Sequence, residues 1–190
     1  VFTAVAILVG RIVMAPYRMK RLMAYQDPWS DPFGSGFQLI QSLIAYGRGE
    51  WLGVGLGNSI QKLFYLPEAH TDFVFSIWAE ETGLVGAVAV IALFAAFVGR
   101  IVYIGYRFLV EKREFESYVC FGFALIFAGQ AFVNMGVSSG LLPTNGLTLP
   151  FISYGGTSLF VSCMMVGVLL KLERSRSQRP QKAQTSRTSA

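Results

Sequence analysis

A run of 54 residues without a charged side chain, from Ser117 to Leu170, constrains the fold of this chain more than any other feature. A helix needs roughly 20 apolar residues to cross the hydrocarbon core of a bilayer. The run can therefore hold two membrane-spanning helices, with about a dozen residues left for the turn between them. Residues that favour turns mark its position: Pro143, Asn145, Gly146 and Pro150.

The composition excludes an ordinary soluble domain. Only 14% of the 190 residues are charged and 53% are hydrophobic, whereas a soluble domain carries about 25% charged residues. We therefore reject a soluble protein with a buried core. Cys120 and Cys163 both lie in apolar stretches, so we interpret them as packing residues and not as a disulfide or metal framework.

Apolar stretches and charged boundaries divide the whole chain into segments. The predicted segments are a truncated transmembrane helix at 1–16, an extracytoplasmic loop at 17–72, transmembrane helices at 73–106, 117–139 and 153–172, a cytoplasmic loop at 107–116, a second extracytoplasmic loop at 140–152, and a basic disordered tail at 173–190. Because the chain opens inside an apolar run, we expect its first helix to be incomplete. We also expect the chain to be the C-terminal part of a longer protein.

The orientation follows from the positive charges. The tail after Leu170 holds six Lys and Arg residues and one acid, Glu173, which accounts for the net charge of +5. Positive residues collect on the cytoplasmic side of membrane proteins, so we place the tail inside and the 17–72 loop outside. Three cations in that outer loop depart from the rule, which long loops obey poorly: Arg18, Lys20 and Arg21. A nucleic-acid-binding tail is the alternative that we reject.

The outer loop contains a short amphipathic helix and a glycine series. In the segment from Gln38 to Tyr46, the apolar face is Leu39, Ile40, Leu43 and Ile44, and the polar face is Gln38, Gln41 and Ser42. This pattern predicts a helix at the membrane surface or packed on the bundle. The glycines that follow are Gly47, Gly49, Gly53, Gly55 and Gly57. They predict tight turns, since the Lys-Ser or Lys-Thr pair and the strand-to-helix context of a phosphate loop are missing.

Two carboxylates and the single histidine stand together at the outer end of a predicted span. They are Glu68, His70 and Asp72. Chemistry alone leaves two interpretations of Asp72 open: an N-terminal cap for the next helix or a catalytic group. A lone histidine here is more often a hydrogen-bonded interfacial residue than a metal ligand.

Five motifs follow one another along the chain. They are DPW at 27–29, QLIQSLIA at 38–45, GLGNSIQKLFYLPEAHTDF at 55–73, EETG at 80–83 and GLLPTNGLTLPFISYGGTSL at 140–159. In sequence and in order they resemble the SEDS family of FtsW, RodA and SpoVE proteins. The third and fifth motifs are more similar to the division member of that family than to the elongation member.

The resemblance implies an all-α polytopic membrane protein in which this chain provides the last four helices of a ten-helix SEDS bundle, with a large extracytoplasmic loop. It implies a peptidoglycan glycosyltransferase that polymerises lipid II into β-1,4 glycan strands during cell division and releases undecaprenyl pyrophosphate. The implied location is the bacterial inner membrane at the division septum. The implied partners are lipid II, the lipid bilayer, a class B penicillin-binding transpeptidase and other divisome membrane proteins, and no nucleic acid is expected.

The resemblance also assigns site residues. The family's essential aspartate maps to Asp72, which we predict to be the general base for the acceptor hydroxyl. For substrate binding we predict Lys62, Glu68, His70, Thr71, Ser153 and Tyr154. The positive charge on the leaving pyrophosphate is expected from Lys62, with Arg18, Lys20, Arg21, Arg48 or a divalent cation (Mg or Mn) as alternatives. Gly155 and Gly156 are expected to permit close helix packing.

One departure from the family and two competing functions remain. Where the family commonly has a lysine, this chain has Asn145, which puts a phosphate-binding role there in doubt. A lipid II flippase is the first competing function, although a transporter usually needs polar groups deep in its spans. The second is a non-catalytic divisome scaffold, for which removal of the base would leave activity unchanged.

Overall fold

The computed structural model describes residues 25, 27–32, 34, 36–59, 72–143 and 146–188, with side chains as far as Arg176. After a 3-10 turn at Pro28–Ser30, this part of the chain forms four α-helices and no strand. The helices are α1 (Phe37–Gly49), α2 (Val74–Val110), α3 (Glu114–Ser138) and α4 (Gly156–Thr188). The predicted helix at 1–16 lies outside the described residues.

Three of these helices are long and apolar enough to cross a membrane: α2, α3 and the first part of α4 as far as Arg176. The all-α membrane fold predicted from the sequence is therefore confirmed for the described part of the chain. The helix bounds differ from the predicted ones, since α2 continues to Val110 and α3 begins at Glu114. Only residues 111–113 connect the two helices, in place of the predicted ten-residue loop at 107–116.

Helix α4 continues to Thr188, into the segment 173–190 for which the sequence predicts disorder. Two ion pairs bracket the beginning of this extension, Arg100 with Glu173 at 2.6 Å and Arg176 with Glu111. Once a helix has formed, each further residue with an N–H group adds one backbone hydrogen bond, so polar helix-forming residues can prolong it. Pro180 is the exception in this extension, because it has no N–H to donate.

The chain divides into two compact units. The first comprises Val1–Ala89 and Phe132–Leu149, and the second comprises Val90–Ala131 and Pro150–Ala190. In the second unit, buried side chains from three helices form one apolar core: Ile101, Ile104, Phe108, Cys120, Ala124, Phe127 and Leu169. Helices α2 and α3 approach closely at Gly105, where a Cβ atom would lie 3.1 Å from that of Cys120.

In the first unit, α1 confirms the helix predicted between Gln38 and Tyr46. The predicted polar face is wrong at Ser42, which is fully buried, while Ile44 on the predicted apolar face is exposed. The Ser42 hydroxyl lies within hydrogen-bond distance of the carbonyls of Leu39 (2.8 Å) and Ser138 (3.0 Å). Burial of Ser42 is therefore compensated by contacts with another element, which helical periodicity cannot anticipate.

Tyr46 continues this contact between α1 and the end of α3. Its hydroxyl lies 3.1 Å from the Ser138 hydroxyl, and its ring meets that of Phe75 edge to face. Burial raises the pKa of Tyr46 to about 12, and the hydrogen bond with Ser138 partly opposes that rise. The phenol is therefore neutral at physiological pH.

Helix α2 is broken at Gly83, where φ is 71° and ψ is −168°. A broken helix leaves carbonyl groups on one side and N–H groups on the other without helical partners. Residues 50–55, which we call the inserted segment, form hydrogen bonds with both the carbonyl groups and the N–H groups at the break. Val54 and Gly55 donate N–H groups to the carbonyls of Glu80 (3.0 Å) and Glu81 (3.1 Å). On the other side, the N–H groups of Leu84 and Val85 bond to the carbonyls of Glu50 (2.9 Å) and Trp51 (3.3 Å).

The glycine series supplies the backbone geometry of this insertion. Gly53, Gly55 and Gly57 have φ values of 80°, 100° and 85°, which side-chain-bearing residues rarely adopt. The predicted tight turns are confirmed at these three positions, whereas Gly47 and Gly49 belong to helix α1.

Candidate functional site

The site begins at Asp72, a half-buried residue just before α2. The next residue, Phe73, is almost fully buried and packs with Ile77 and Val137. The carbonyl of Phe73 accepts a hydrogen bond from the N–H of Ile77, so Phe73 occupies the N-cap position. Asp72 stands one residue earlier than a capping side chain normally does, which weakens the interpretation of Asp72 as the helix cap.

A buried amide joins Asp72 to the loop that follows α3. The side-chain nitrogen of Asn134 donates to the backbone carbonyl of Asp72 at 3.1 Å and to that of Leu147 at 2.7 Å. Asn134 lies on α3 and is only 2% exposed. Two backbone segments separated by more than 70 residues are therefore held by one side chain.

The same loop passes beside the Asp72 carboxylate. A Cβ atom placed on Gly146 would lie 3.7 Å from the Asp72 Oδ2 atom, and no other heavy atom of the described residues beyond its chain neighbours lies within 4 Å of that position. Within the described part of the chain, glycine therefore leaves space beside one carboxylate oxygen. The arrangement presents a carboxylate at the end of a membrane helix, fixed through its backbone and flanked by a backbone loop.

The other predicted site residues fall into two groups. Lys62, Glu68, His70 and Thr71, together with Asn145, lie outside the described residues, so their roles stay predictions. Ser153 and Tyr154 belong to the second unit, where Ser153 is buried and Tyr154 is 81% exposed. The close packing expected at Gly156 has no partner among the described residues, where a Cβ atom would have no neighbour within 4 Å, so it stays a prediction.

A buried charged group that was not predicted from the sequence lies at the helix break. Glu80 is fully buried, and its Oε1 atom lies 3.1 Å from Nη1 of Arg48, whose side chain is 37% exposed. Its Oε2 atom accepts a hydrogen bond from the Ser59 hydroxyl. Arg48 was one of the cations considered for the leaving pyrophosphate, and the structure instead pairs it with Glu80. The two adjacent acids Glu80 and Glu81 inside a predicted membrane span were the sequence signal that could have indicated this pair.

Removal of Arg48 is expected to destabilise the protein more than removal of the charge on Glu80. Arg48→Met leaves a buried carboxylate without its cation, which costs about 3 kcal/mol for a buried pair. Glu80→Gln leaves an arginine that water can reach, so its cost should be about 1 kcal/mol. Thermal unfolding of the purified protein in detergent measures both values, and the Arg48→Met, Glu80→Gln double variant should recover part of the first loss.

Arg100→Met is the matched control for the Arg48→Met and Glu80→Gln variants. Arg100 pairs with Glu173 at 2.6 Å, but the side chains are 59% and 35% exposed, and such surface pairs contribute about 0–1 kcal/mol. If Arg48→Met proves no more destabilising than Arg100→Met, the structural importance of the Arg48–Glu80 pair is refuted.

The described residues contain no group of three His, Cys, Asp or Glu side chains that could hold a metal ion. The divalent cation therefore stays a prediction.

The chain is similar in sequence to a family of known proteins. The family model described as "Cell cycle protein", for FtsW, RodA and SpoVE, matches residues 1–178. A probable peptidoglycan glycosyltransferase FtsW from Halomonas elongata is 60% identical over 161 residues, which are 85% of this chain and 41% of the relative. The protein of the same description from Marinomonas mediterranea is 56% identical over 173 residues, covering 91% of this chain and 43% of the relative.

A solved structure is also similar over most of the chain. It comes from work described as "Structural coordination of polymerization and crosslinking by a peptidoglycan synthase complex". The TM-score is 0.67 at 37% sequence identity, and the match covers 93% of this chain and 48% of the other. The chain thus spans less than half the length of the relatives that it matches.

Proposed function

Because this chain belongs to the FtsW, RodA and SpoVE family of cell cycle proteins, we propose that it forms the C-terminal part of a peptidoglycan glycosyltransferase. The proposed reaction is the polymerisation of lipid II into glycan strands during cell division. The observation that carries the proposal is the Asp72 carboxylate, which stands at the end of a membrane helix beside a backbone loop. Relatives described as probable peptidoglycan glycosyltransferases support the choice of reaction.

In the proposed step, the 4-hydroxyl oxygen of the acceptor sugar attacks the anomeric carbon of the donor. The new β-1,4 bond forms while the bond from that carbon to the pyrophosphate breaks, which inverts the anomeric centre. Asp72 takes the hydroxyl proton, and undecaprenyl pyrophosphate leaves with the electron pair of the broken bond. A general base of this kind must reach within about 2.6–3.2 Å of the hydroxyl oxygen.

Positive charge near the leaving pyrophosphate would stabilise this step. We assign that task to Lys62, with substrate binding by Glu68, His70 and Thr71, all of which precede Asp72 in the same motif. Ser153 and Tyr154 are assigned to substrate binding on the second unit. Arg48 is not assigned to the pyrophosphate, because Glu80 already pairs with it.

We place the protein in the bacterial inner membrane at the septum, with its C-terminal tail in the cytoplasm. Three helices able to cross a membrane support a multi-pass protein, and the basic tail supports this orientation. A class B penicillin-binding transpeptidase is the proposed partner, since newly made strands must be crosslinked where they emerge. The similar chain from a peptidoglycan synthase complex supports this pairing.

The function is tested with the full-length protein purified together with its cognate class B transpeptidase. Incubation with labelled lipid II should yield glycan polymers that are resolved by gel electrophoresis, and heat-denatured complex should yield none. A complex that leaves lipid II unpolymerised but moves it across proteoliposome membranes would refute the proposal in favour of a flippase. A complex that does neither would leave the scaffold function.

A further inference from the structure

We infer that Asn134 is a positioning residue that holds the Asp72 carboxylate in its reactive place by tying the Asp72 backbone to the loop at Leu147. The inference rests on the proposed function, in which Asp72 is the base. It concerns a residue that would not contact the reacting atoms and would act only through Asp72.

The Asn134 side chain has a donor that reaches both backbone segments. The Asn134 side-chain nitrogen carries two hydrogens, and it reaches two backbone carbonyls, at 3.1 Å on Asp72 and at 2.7 Å on Leu147. Both carbonyls belong to residues that lie outside the helices. A carboxylate in place of the amide would have no hydrogen to donate when ionised.

The second argument is that an amide is an unfavourable choice here for packing alone. Asn134 is 2% exposed and lies on a helix whose uncharged stretch begins at Ser117. Its Oδ1 atom is buried and has no hydrogen-bond partner among the described residues. Burying this unpaired oxygen disfavours folding, whereas an apolar residue would leave both carbonyls without the Asn134 donor. The observed contacts of Asn134 are those of its donor nitrogen, which indicates that the donor has a specific task.

Asn134 lies on a helix that packs tightly beside Asp72. Val137 on α3 packs against Ile77 on α2 and against Phe73, the N-cap residue of α2, and Val133 adds to the same cluster. Asn134 lies between these two valines in sequence, and Asp72 adjoins Phe73. The amide is therefore carried by packed helices, so it transmits a fixed position to the backbone of Asp72. Beside the carboxylate, Gly146 sits one residue before the second carbonyl that Asn134 holds.

A displaced base loses catalytic efficiency, since a misplacement of about 1 Å can lower a rate by about 10²-fold. Asn134→Leu removes both hydrogen bonds while filling the site with an apolar side chain of similar size. We expect it to lower kcat for lipid II polymerisation by about 10- to 100-fold. Substrate binding is made elsewhere in the proposed site, so KM should stay within about threefold of its original value.

The experiment uses the full-length protein in complex with its transpeptidase, with labelled lipid II as the substrate. Four proteins are compared with the unmodified one: Asn134→Leu, Asp72→Asn, the double variant, and Gln130→Leu as the matched control. Gln130 is a half-buried amide one turn earlier on α3. Recovery of the complex and thermal unfolding are measured beside kcat and KM.

A decrease in kcat for Asn134→Leu, absent in Gln130→Leu, supports the inference if the double variant is no slower than Asp72→Asn. A merely structural residue would lower the residual rate again in the Asp72→Asn background. The inference is overturned if folded Asn134→Leu polymerises at the normal rate. It is also overturned if the decrease in kcat of the double variant equals the product of the decreases in the two single variants.

If Asn134→Leu does not fold, the inference is tested with Asn134→Ser instead. The serine hydroxyl is shorter than the amide and has one hydrogen where the amide has two. It should lower kcat with KM unchanged, and a normal kcat in this variant overturns the inference. The proposed function and the positioning role can be refuted separately. Full activity of Asp72→Asn would show that Asp72 is not the base. An inactive Asp72→Asn together with a fully active Asn134→Leu would refute only the positioning role of Asn134.

Discussion

Replacement of Asp72 by asparagine is expected to lower lipid II polymerisation by about 10²–10⁴-fold, the usual contribution of a general base. Asparagine has nearly the same size and still accepts hydrogen bonds, but it cannot take a proton from the acceptor hydroxyl. Because the contact with Asn134 uses the Asp72 backbone carbonyl, the substitution leaves that hydrogen bond in place. Folding and partner binding should therefore be retained, as measured by thermal unfolding and co-purification with the transpeptidase.

Asp27→Asn provides the matched control. It makes the same chemical change at an exposed position of the same predicted outer loop, and its polymerisation rate should remain close to that of the unmodified protein. Lipid II binding by Asp72→Asn should also remain, since the predicted binding residues are unchanged.

A capping role for Asp72 leads to a different result. Asparagine caps helices about as well as aspartate, so a cap would tolerate this substitution. If purified Asp72→Asn polymerises lipid II at a nearly normal rate, Asp72 is not the base and its role is structural.

Replacement of Gly83 by alanine is expected to destabilise the protein severely. Alanine would have to adopt φ 71° and ψ −168°, a region that is essentially restricted to glycine and costs about 1–3 kcal/mol for other residues. In addition, its Cβ atom would lie 2.5 Å from the Gly53 nitrogen and from the Trp51 carbonyl oxygen. These are backbone atoms of the inserted segment, so the overlap can be relieved only by moving that segment out of the helix break.

The loss should exceed about 3 kcal/mol, because the strain and the overlap act together. It is measured as lower thermal stability in detergent and as lower recovery of monodisperse protein. Gly99→Ala is the control on the same helix, since a Cβ atom there meets nothing within 4 Å in the described structure. Alanine is the better helix former by about 1 kcal/mol, so Gly99→Ala should be neutral or stabilising. Equal stability of the two variants would contradict the described insertion.

The membrane helices of this protein are determined by the sequence alone. Whether a segment enters a bilayer depends on the transfer free energy of its own side chains, which is a local property. The uncharged run from Ser117 to Leu170 therefore predicted spans that the structure contains as α3 and the beginning of α4. Helix α1 was predicted for a similar reason, because its apolar spacing follows the helical repeat. Asp72 was found through its motif and the family that the motif resembles.

The tertiary structure decided how these elements are joined at the candidate site. The break at Gly83 could not be predicted, because the groups that satisfy it lie about 30 residues earlier in the inserted segment. The pairing of Arg48 with Glu80 and the contacts of Asn134 with Asp72 and Leu147 likewise join residues 13 to 62 positions apart. Hydropathy and periodicity describe each segment separately and carry no information about such partners. A buried polar group is stabilised only by the atoms that surround it after folding, so the role of Glu80 and Asn134 became apparent only in the folded chain.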